Sequence, residues 1–229
     1  MRRSSPIINY FELFISQELV QYTQNTTVNE LYCFFALSLL MTRNKKLTIQ
    51  GYWTKDEYLR SNIFGEIMCR DRYLFLLRMI HFTYELGRTD DRLGKIRDVV
   101  NMLRKSFSNT FHPYQKLCID ESLMLYKGRL SFKQYIPLKR SRIGIKSYVL
   151  CDCKTGYVQD LKINSGIPTI VESAITGIRK SGAIVLSLLK PYLGKGHTVY
   201  LDNFYSSPTL FYFLHSNCTN ACATVNKRR

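Results

Sequence analysis

Two aspartates stand at the ends of short apolar runs, and their placement is the feature of the sequence that points to chemistry. Asp120 follows Leu117-Cys118-Ile119, and Asp202 follows Val199-Tyr200-Leu201. Such runs indicate buried strands, and a carboxylate at the end of a buried strand is costly unless it is paired or binds a metal. If the two strands are neighbours, Asp120 and Asp202 form a divalent metal site suited to phosphodiester chemistry. The alternative is that each is a turn or N-cap residue, the commoner role of a single Asp.

Between the two aspartates lies a basic segment, residues 127–146, which contains no acidic residue. Its cations are expected to follow phosphates, while the interleaved Phe132 and Tyr135 stack on bases. The alternative is a solvated basic loop, although ordinary protein surfaces mix both signs of charge. The predicted DNA-binding residues are Lys127, Arg129, Lys133, Lys139, Arg140, Arg142 and Lys146.

The composition favours an intracellular protein with a polyanionic partner. The 229 residues carry a net charge of +16, from 33 basic and 17 acidic residues, which makes nucleic acid the first candidate. The seven cysteines lack the spacing of a zinc site and are expected to be reduced and mostly in the core. The most apolar stretch, residues 31–41, is about half the length that crosses a bilayer, so no membrane partner is expected.

The order of predicted elements gives an α+β or α/β chain with two domains. Residues 1–112 have helical periodicity, with helices predicted from Ser5, over 27–43, from the capping box that starts at Thr54, over 70–82 and over 95–111. Residues 113–229 change to short β-rich segments in the order three strands, helix, strand, helix, strand. That order predicts a ribonuclease H-like mixed sheet, with the strands of Asp120 and Asp202 side by side.

Motifs in both halves resemble the piggyBac transposase family. In the helical half they are Tyr10-Phe11-Glu12-Leu13-Phe14, Tyr52-Trp53, Arg78-Met79-Ile80-His81-Phe82 and Asp91-Arg92-Leu93 with Lys95-Ile96-Arg97. In the second half they are Cys118-Ile119-Asp120-Glu121-Ser122, the segment 127–137, Gly144-Ile145-Lys146, Leu150-Cys151-Asp152, Thr155-Gly156-Tyr157-Val158 and the segment 199–207.

The resemblance implies a nuclear, cut-and-paste DNA transposase whose ribonuclease H-like domain holds Mg²⁺ or Mn²⁺ on three aspartates, a DDD motif. Asp120 matches the first of these and Asp202 the second. The third belongs to a later part of the family's chain, so the catalytic domain, residues 113–229, is expected to be incomplete, truncated at its C-terminus. The implied partners are DNA, as transposon ends and a TTAA target, and a second copy in a homodimer. The alternative is a domesticated DNA-binding protein without catalysis.

Overall fold

The computed structural model describes residues 25–83, 91–137, 142–166 and 177–225. The chain divides into two compact units, Met1–Gly87 and Arg88–Arg229. The helix predicted from Ser5 lies outside the described residues. None of the helices in the described ranges combines the length and the apolar character of a membrane span.

The first unit is helical and is built on an aromatic core. Its elements are α1 (Val28–Arg43), a 3₁₀ helix (Ile49–Trp53), α2 (Asn62–Ile67) and α3 (Arg70–Met79). The predicted N-cap of α1 is confirmed, because the Thr27 hydroxyl accepts from the Glu30 amide at 3.2 Å. Phe34, Tyr52, Phe64 and Tyr73 lie in the buried cluster that joins these helices.

The helix predicted at Thr54 is wrong. The structure has a turn at residues 57–59, and α2 begins only at Asn62. Local side-chain bonds explain the difference. The Thr54 hydroxyl accepts from the Asp56 amide at 3.2 Å, and the Asp56 carboxylate accepts from the Tyr58 amide at 2.9 Å. Short polar side chains that bond their own backbone in this way stabilise turns in competition with a helix.

A half-buried ion pair joins the first turn of α1 to α3. The Arg72 guanidinium donates to both Glu30 carboxylate oxygens, at 2.6 and 2.8 Å. This bidentate hydrogen bonding lowers the pKa of Glu30 below its usual value. Because the folded-state pKa is lowered, the pair contributes stability above the unfolded pKa of about 4.3, and that contribution is lost as the pH falls through the folded value.

We expect Arg72→Met to lower the free energy of unfolding of the helical unit by about 1–3 kcal/mol at neutral pH, because it leaves the Glu30 carboxylate without its partner. The difference from wild type should shrink on acidification below about pH 4, where Glu30 becomes neutral. Trp53, the single tryptophan of the chain, lies in this unit, so its fluorescence follows this unit's unfolding in denaturant. A difference that stays constant between pH 7 and pH 3 would contradict the charge-based account.

The second unit contains a mixed sheet with helices. Its elements are a 3₁₀ turn (Gly94–Ile96), α4 (Arg97–Thr110), β1 (Lys116–Leu125), β2 (Gln134–Tyr135), β3 (Ile143–Asp152), β4 (Val158–Ile163), α5 (Lys180–Leu189), a 3₁₀ turn (Lys190–Tyr192), β5 (Thr198–Leu201), α6 (Pro208–Ser216) and β6 (Asn220–Ala223).

The sheet has the order β2-β3-β1-β5-β6, and β4 also pairs with β3. The β1–β3 and β3–β4 pairs are antiparallel, whereas β1–β5 and β5–β6 are parallel. Three antiparallel strands followed by two parallel ones, with helices between, form the ribonuclease H-like arrangement that the sequence predicts. The short β2 is an additional strand that pairs with the first two residues of β3, Ile143 and Gly144.

One face of this sheet is the core of the unit. Leu117, Ile119, Leu150, Val199 and Leu201 are buried there with apolar residues of α5 and α6. The alternation along β1 places every second residue on this face, so Lys116, Cys118 and Asp120 lie on the other.

Helix α4 groups with the sheet. The Arg104 guanidinium donates to both carboxylate oxygens of Asp160 in β4, at 2.6 and 2.9 Å, and the Tyr157 hydroxyl donates to the Phe107 carbonyl at 3.2 Å. The unit that contains the sheet therefore begins before the boundary predicted at 112/113, because a helix counted with the first half packs on β4.

Candidate catalytic site

Asp120 and Asp202 occupy matching positions on neighbouring parallel strands. The register of β1 and β5 pairs Leu117 with Val199 and Ile119 with Leu201. Asp120 is the next residue of β1, and Asp202 is the first residue after the end of β5. The predicted adjacency of the two strands is confirmed, and both aspartates are solvent-exposed.

The apolar face of the two strands determines how Asp120 is presented. Leu117 and Ile119 are buried against the helices, so Asp120 lies on the opposite, exposed face of β1. Its carboxylate accepts from the Glu121 amide at 2.7 Å. Glu121 lies on the core face, as the alternation of β1 predicts, and is separated by the sheet from the face of Asp120.

Asp202 begins the turn that connects β5 to α6. Its carbonyl accepts from the Tyr205 amide at 3.1 Å. Helix α6 then starts with Ser207 as its N-cap, whose hydroxyl accepts from the Leu210 amide at 3.3 Å, and with Pro208 in the first turn. This is the helix start that the sequence predicts. Asp202 is therefore fixed between the end of a buried strand and a capped helix.

Lys146 lies apart from the other cations of the basic segment. Its ammonium forms an ion pair with Glu121 at 2.6 Å, and only 12% of its side chain is exposed. The structure thus matches its charge with a carboxylate, although the sequence suggested a phosphate. Sequence reasoning missed this pair, although Glu121 falls on the buried face in the alternation of β1, where a carboxylate requires a partner.

The other described cations of the segment are exposed. Lys127, Arg129, Lys133 and Arg142 lie in the connection between β1 and β3, while Lys139 and Arg140 lie outside the described residues. Strand β1 continues from Asp120 to Leu125, roughly 17 Å at about 3.3 Å per residue, before this connection begins. We call residues 126–137 with Arg142 the basic arm. It extends from the same end of the sheet as the two aspartates.

The aromatic residues of the basic arm differ in exposure. Phe132 is 7% exposed, so the prediction that it stacks on bases is wrong. A large apolar ring is stabilised by burial, and that outweighs its position within a basic segment. Tyr135 is 62% exposed and remains a candidate for stacking.

The cysteines are all free thiols, but they are not mostly in the core as the sequence suggested. Cys33, Cys118 and Cys151 are half-buried, and the other four are exposed. Cys118 and Cys151 face each other across β1 and β3, and burial raises the pKa of Cys118 to about 12. Burial also raises the pKa of Cys151, so these two thiols are protonated at neutral pH.

Among the described residues, no group of three or more His, Cys, Asp or Glu side chains is arranged to hold a metal.

The sheet order defines the fold class, the ribonuclease H-like nuclease fold. Residues 6–229 match a family profile described as Transposase IS4. A solved piggyBac transposase, in a synaptic complex with hairpin DNA, superposes with a TM-score of 0.80 at 25% identity and covers 90% of this chain. The chain belongs to the piggyBac transposase family, as its motifs indicate.

Two human proteins are also similar. PiggyBac transposable element-derived protein 3 and the chimeric ERCC6-PGBD3 protein are each 23% identical over 224 residues, which is 96% of this chain. The chain spans less than half of these relatives, since the match covers 37% and 21% of the two human proteins and 43% of the solved chain.

Tyr205, three residues after Asp202, is buried, and its hydroxyl group is buried as well. Burial, followed by the negative charge of Glu121, raises the pKa of Tyr205 well above its usual value. The hydroxyl nevertheless makes no hydrogen bond of standard geometry within the described residues. In the same core, the Tyr192 hydroxyl donates to the Gln159 side chain at 3.1 Å.

We expect Tyr205→Phe to raise the free energy of unfolding of the sheet unit by about 1 kcal/mol, because it removes a buried donor that has no partner. The matched control is Tyr192→Phe, which breaks a formed bond and should lower that free energy by a similar amount. Chemical denaturation followed by circular dichroism measures both changes. Destabilisation by Tyr205→Phe would mean that its hydroxyl donates to Glu121 in solution.

Proposed function

We propose that the chain is a piggyBac-like DNA transposase or a transposon-derived fragment, which binds DNA and carries two of the three aspartates of the catalytic metal site. The observation that carries the proposal is the register of β1 and β5, which places Asp120, midway along β1, beside the C-terminal end of β5, where Asp202 follows. Membership of the transposase family supports the same reading. Functional groups of α/β sheets collect at such strand ends.

The two carboxylates fit a hard divalent ion. Mg²⁺ takes oxygen ligands, is bound through one or two carboxylates plus substrate phosphate, and keeps several of its waters. Asp120 and Asp202 are exposed oxygen donors beside the C-terminal end of β5, where phosphate and water have access. When bound, Mg²⁺ or Mn²⁺ would supply activation of a water and stabilisation of the leaving oxygen in phosphodiester cleavage.

DNA is the proposed partner. The solved relative is described as a complex with hairpin DNA, and this chain has the charge to bind the same kind of polyanion, with a net +16. The exposed cations of the basic arm lie beyond the two aspartates, in a position to hold phosphates farther along the same DNA strand. Transposon ends and a TTAA target, a homodimeric assembly and a nuclear location belong to the same proposal.

A second candidate function is DNA binding without catalysis. The observation that favours it is the ligand count, because the described residues bring two carboxylates together rather than a group of three. Two-metal displacement needs both ions held about 3.5–4 Å apart, and a small misplacement in such a site costs a large rate factor.

We expect DNA affinity to be mainly electrostatic and to fall steeply with salt, because each neutralised phosphate releases counterions. Changing Lys127, Arg129 and Arg142 together to Ala should weaken binding to all sequences and reduce the slope of log affinity against log salt by about one per residue. Fluorescence anisotropy of a labelled duplex between about 50 and 200 mM salt measures both quantities.

The control for that experiment is Lys190→Ala with Lys195→Ala. These exposed lysines precede β5, at the opposite end of the strand from Asp202. The two substitutions remove cationic charge and leave the basic arm unchanged. An equal loss of affinity in the control, or an unchanged slope in the arm variant, would show that the basic arm is not the DNA footprint.

We expect the chain to bind Mn²⁺ through Asp120 and Asp202 but not to cleave transposon-end DNA by itself, since the residues that the structure describes bring two carboxylates together and form no group of three. Asp120→Asn and Asp202→Asn should each weaken Mn²⁺ binding about tenfold or more, as measured by the free-ion signal in electron paramagnetic resonance. Mn²⁺ affinity unchanged in both variants would favour the non-catalytic function. Strand cleavage that depends on Asp120 would instead show that two carboxylates suffice.

A further inference from the structure

A buried charge pair lies on the core face of the sheet, behind the candidate site. The Lys146 ammonium is 2.6 Å from the Glu121 carboxylate, and the two side chains are 12% and 20% exposed. Both are on the buried face of their strands, since Glu121 alternates with Ile119 on β1 and Lys146 alternates with Leu150 on β3. Burial of two charges is expensive, so this pair calls for an explanation beyond stability.

The pair reaches the turn that carries Asp202. The Lys146 ammonium is 5.3 Å from the centre of the Phe204 ring and 5.1 Å from that of Tyr148. Phe204 packs edge-on against Tyr205 at 5.1 Å between ring centres, and Tyr205 packs against Tyr148 at 6.4 Å. One cation thus contacts a carboxylate of β1, a ring of β3 and a ring of the turn after β5.

The turn needs such support because the strand ladder ends before it. The pairing of β5 with β1 and with β6 stops at Leu201. Asp202 therefore has no ladder partner, and its turn is closed by the Tyr205 amide bond to the Asp202 carbonyl. The turn is also held by the Ser206 hydroxyl, which donates to the Asn203 carbonyl at 3.0 Å, and by the burial of Tyr205 in the core. Contacts to β1 and β3 are what fix it relative to Asp120.

We infer that Glu121 and Lys146 are positioning residues, which hold the turn of Asp202 to β1 and β3 and so set Asp202 relative to Asp120. The lysine attracts Glu121 by charge and the rings of Tyr148 and Phe204 by cation–π interaction. Its long stem allows all three contacts from the middle of β3. That the pair holds the turn does not depend on the proposed function. The expected effect of the pair on metal affinity does rest on the proposed function, because it assumes the proposed metal site.

The test uses the double variant Glu121→Gln with Lys146→Met, which removes both charges and leaves no single charge buried. Loss of one charge alone destabilises strongly, whereas replacement of both partners is often tolerated. We expect amide hydrogen exchange at Tyr205, followed by NMR, to become about tenfold faster, since its bond to Asp202 opens more often. Mn²⁺ affinity should fall about tenfold, the scale of outer-shell changes at metal sites.

Two further variants separate positioning from general stability. Arg104→Met with Asp160→Asn removes a comparable ion pair between α4 and β4, on the other side of β3 from β1. It should lower stability but leave exchange at Tyr205 and Mn²⁺ affinity unchanged. Lys146→Arg, made in the wild-type protein, keeps the charge and the ring contacts. Both the exchange rate at Tyr205 and the Mn²⁺ affinity should stay near their wild-type values.

Each result decides the inference in one direction. Unchanged exchange at Tyr205 in the Glu121/Lys146 variant would overturn it, as would equal acceleration in the Arg104/Asp160 variant. A selective fall in DNA affinity with normal exchange would instead assign Lys146 to phosphate binding. If wild-type protein binds no Mn²⁺, the proposed metal site fails, and exchange at Tyr205 still decides whether the pair holds the turn.

Discussion

The parallel pairing of β1 with β5 is the constraint on which the candidate site depends. These strands are far apart in sequence, and they meet because each has one apolar face that must be buried on the same helices. Leu117 and Ile119 on one strand match Val199 and Leu201 on the other. A slip of one residue in either strand would expose its two aliphatic side chains and turn Cys118 and Asp120, or Tyr200 and Asp202, toward the core. The burial of aliphatic side chains thus fixes the relation between Asp120 and Asp202.

Adjacent carboxylates on β1 have different environments because the pleat places them on opposite faces. Asp120 is exposed and keeps its oxygens available to solvent, apart from one bond to the Glu121 amide. Glu121 faces the core and is neutralised by Lys146. Of the two neighbouring acids of β1, Asp120 is therefore a candidate metal ligand and Glu121 is a positioning residue. The two differ in burial, because they lie on opposite faces of the strand.

The sequence was a good guide wherever the determinant is local or periodic. The strand order, the N-caps of α1 and α6 and the adjacency of the strands that carry or precede Asp120 and Asp202 follow from apolar runs and capping residues. The expected end of the first strand at Asp120 is wrong, because pairing with β3 continues β1 to Leu125. The pairing of Glu121 with Lys146 was not predictable in the same way, because it depends on the register of β1 against β3. Thr54 was misread because its motif stabilises a turn as well as a helix, and Phe132 because a position within a charged segment does not determine exposure.

Net charge identifies a partner, but burial decides which cations are available to it. Arg129 is exposed, in the connection beyond the end of β1, where its charge is free to attract a polyanion. Lys146 belongs to the same acid-free segment and has the same sign, yet its charge is matched within the protein. A polyanion at the strand ends would meet the basic arm on one side and the two aspartates on the other. The exposed cations can then bind phosphates beyond the two aspartates, while the buried one holds a carboxylate-bearing turn in place.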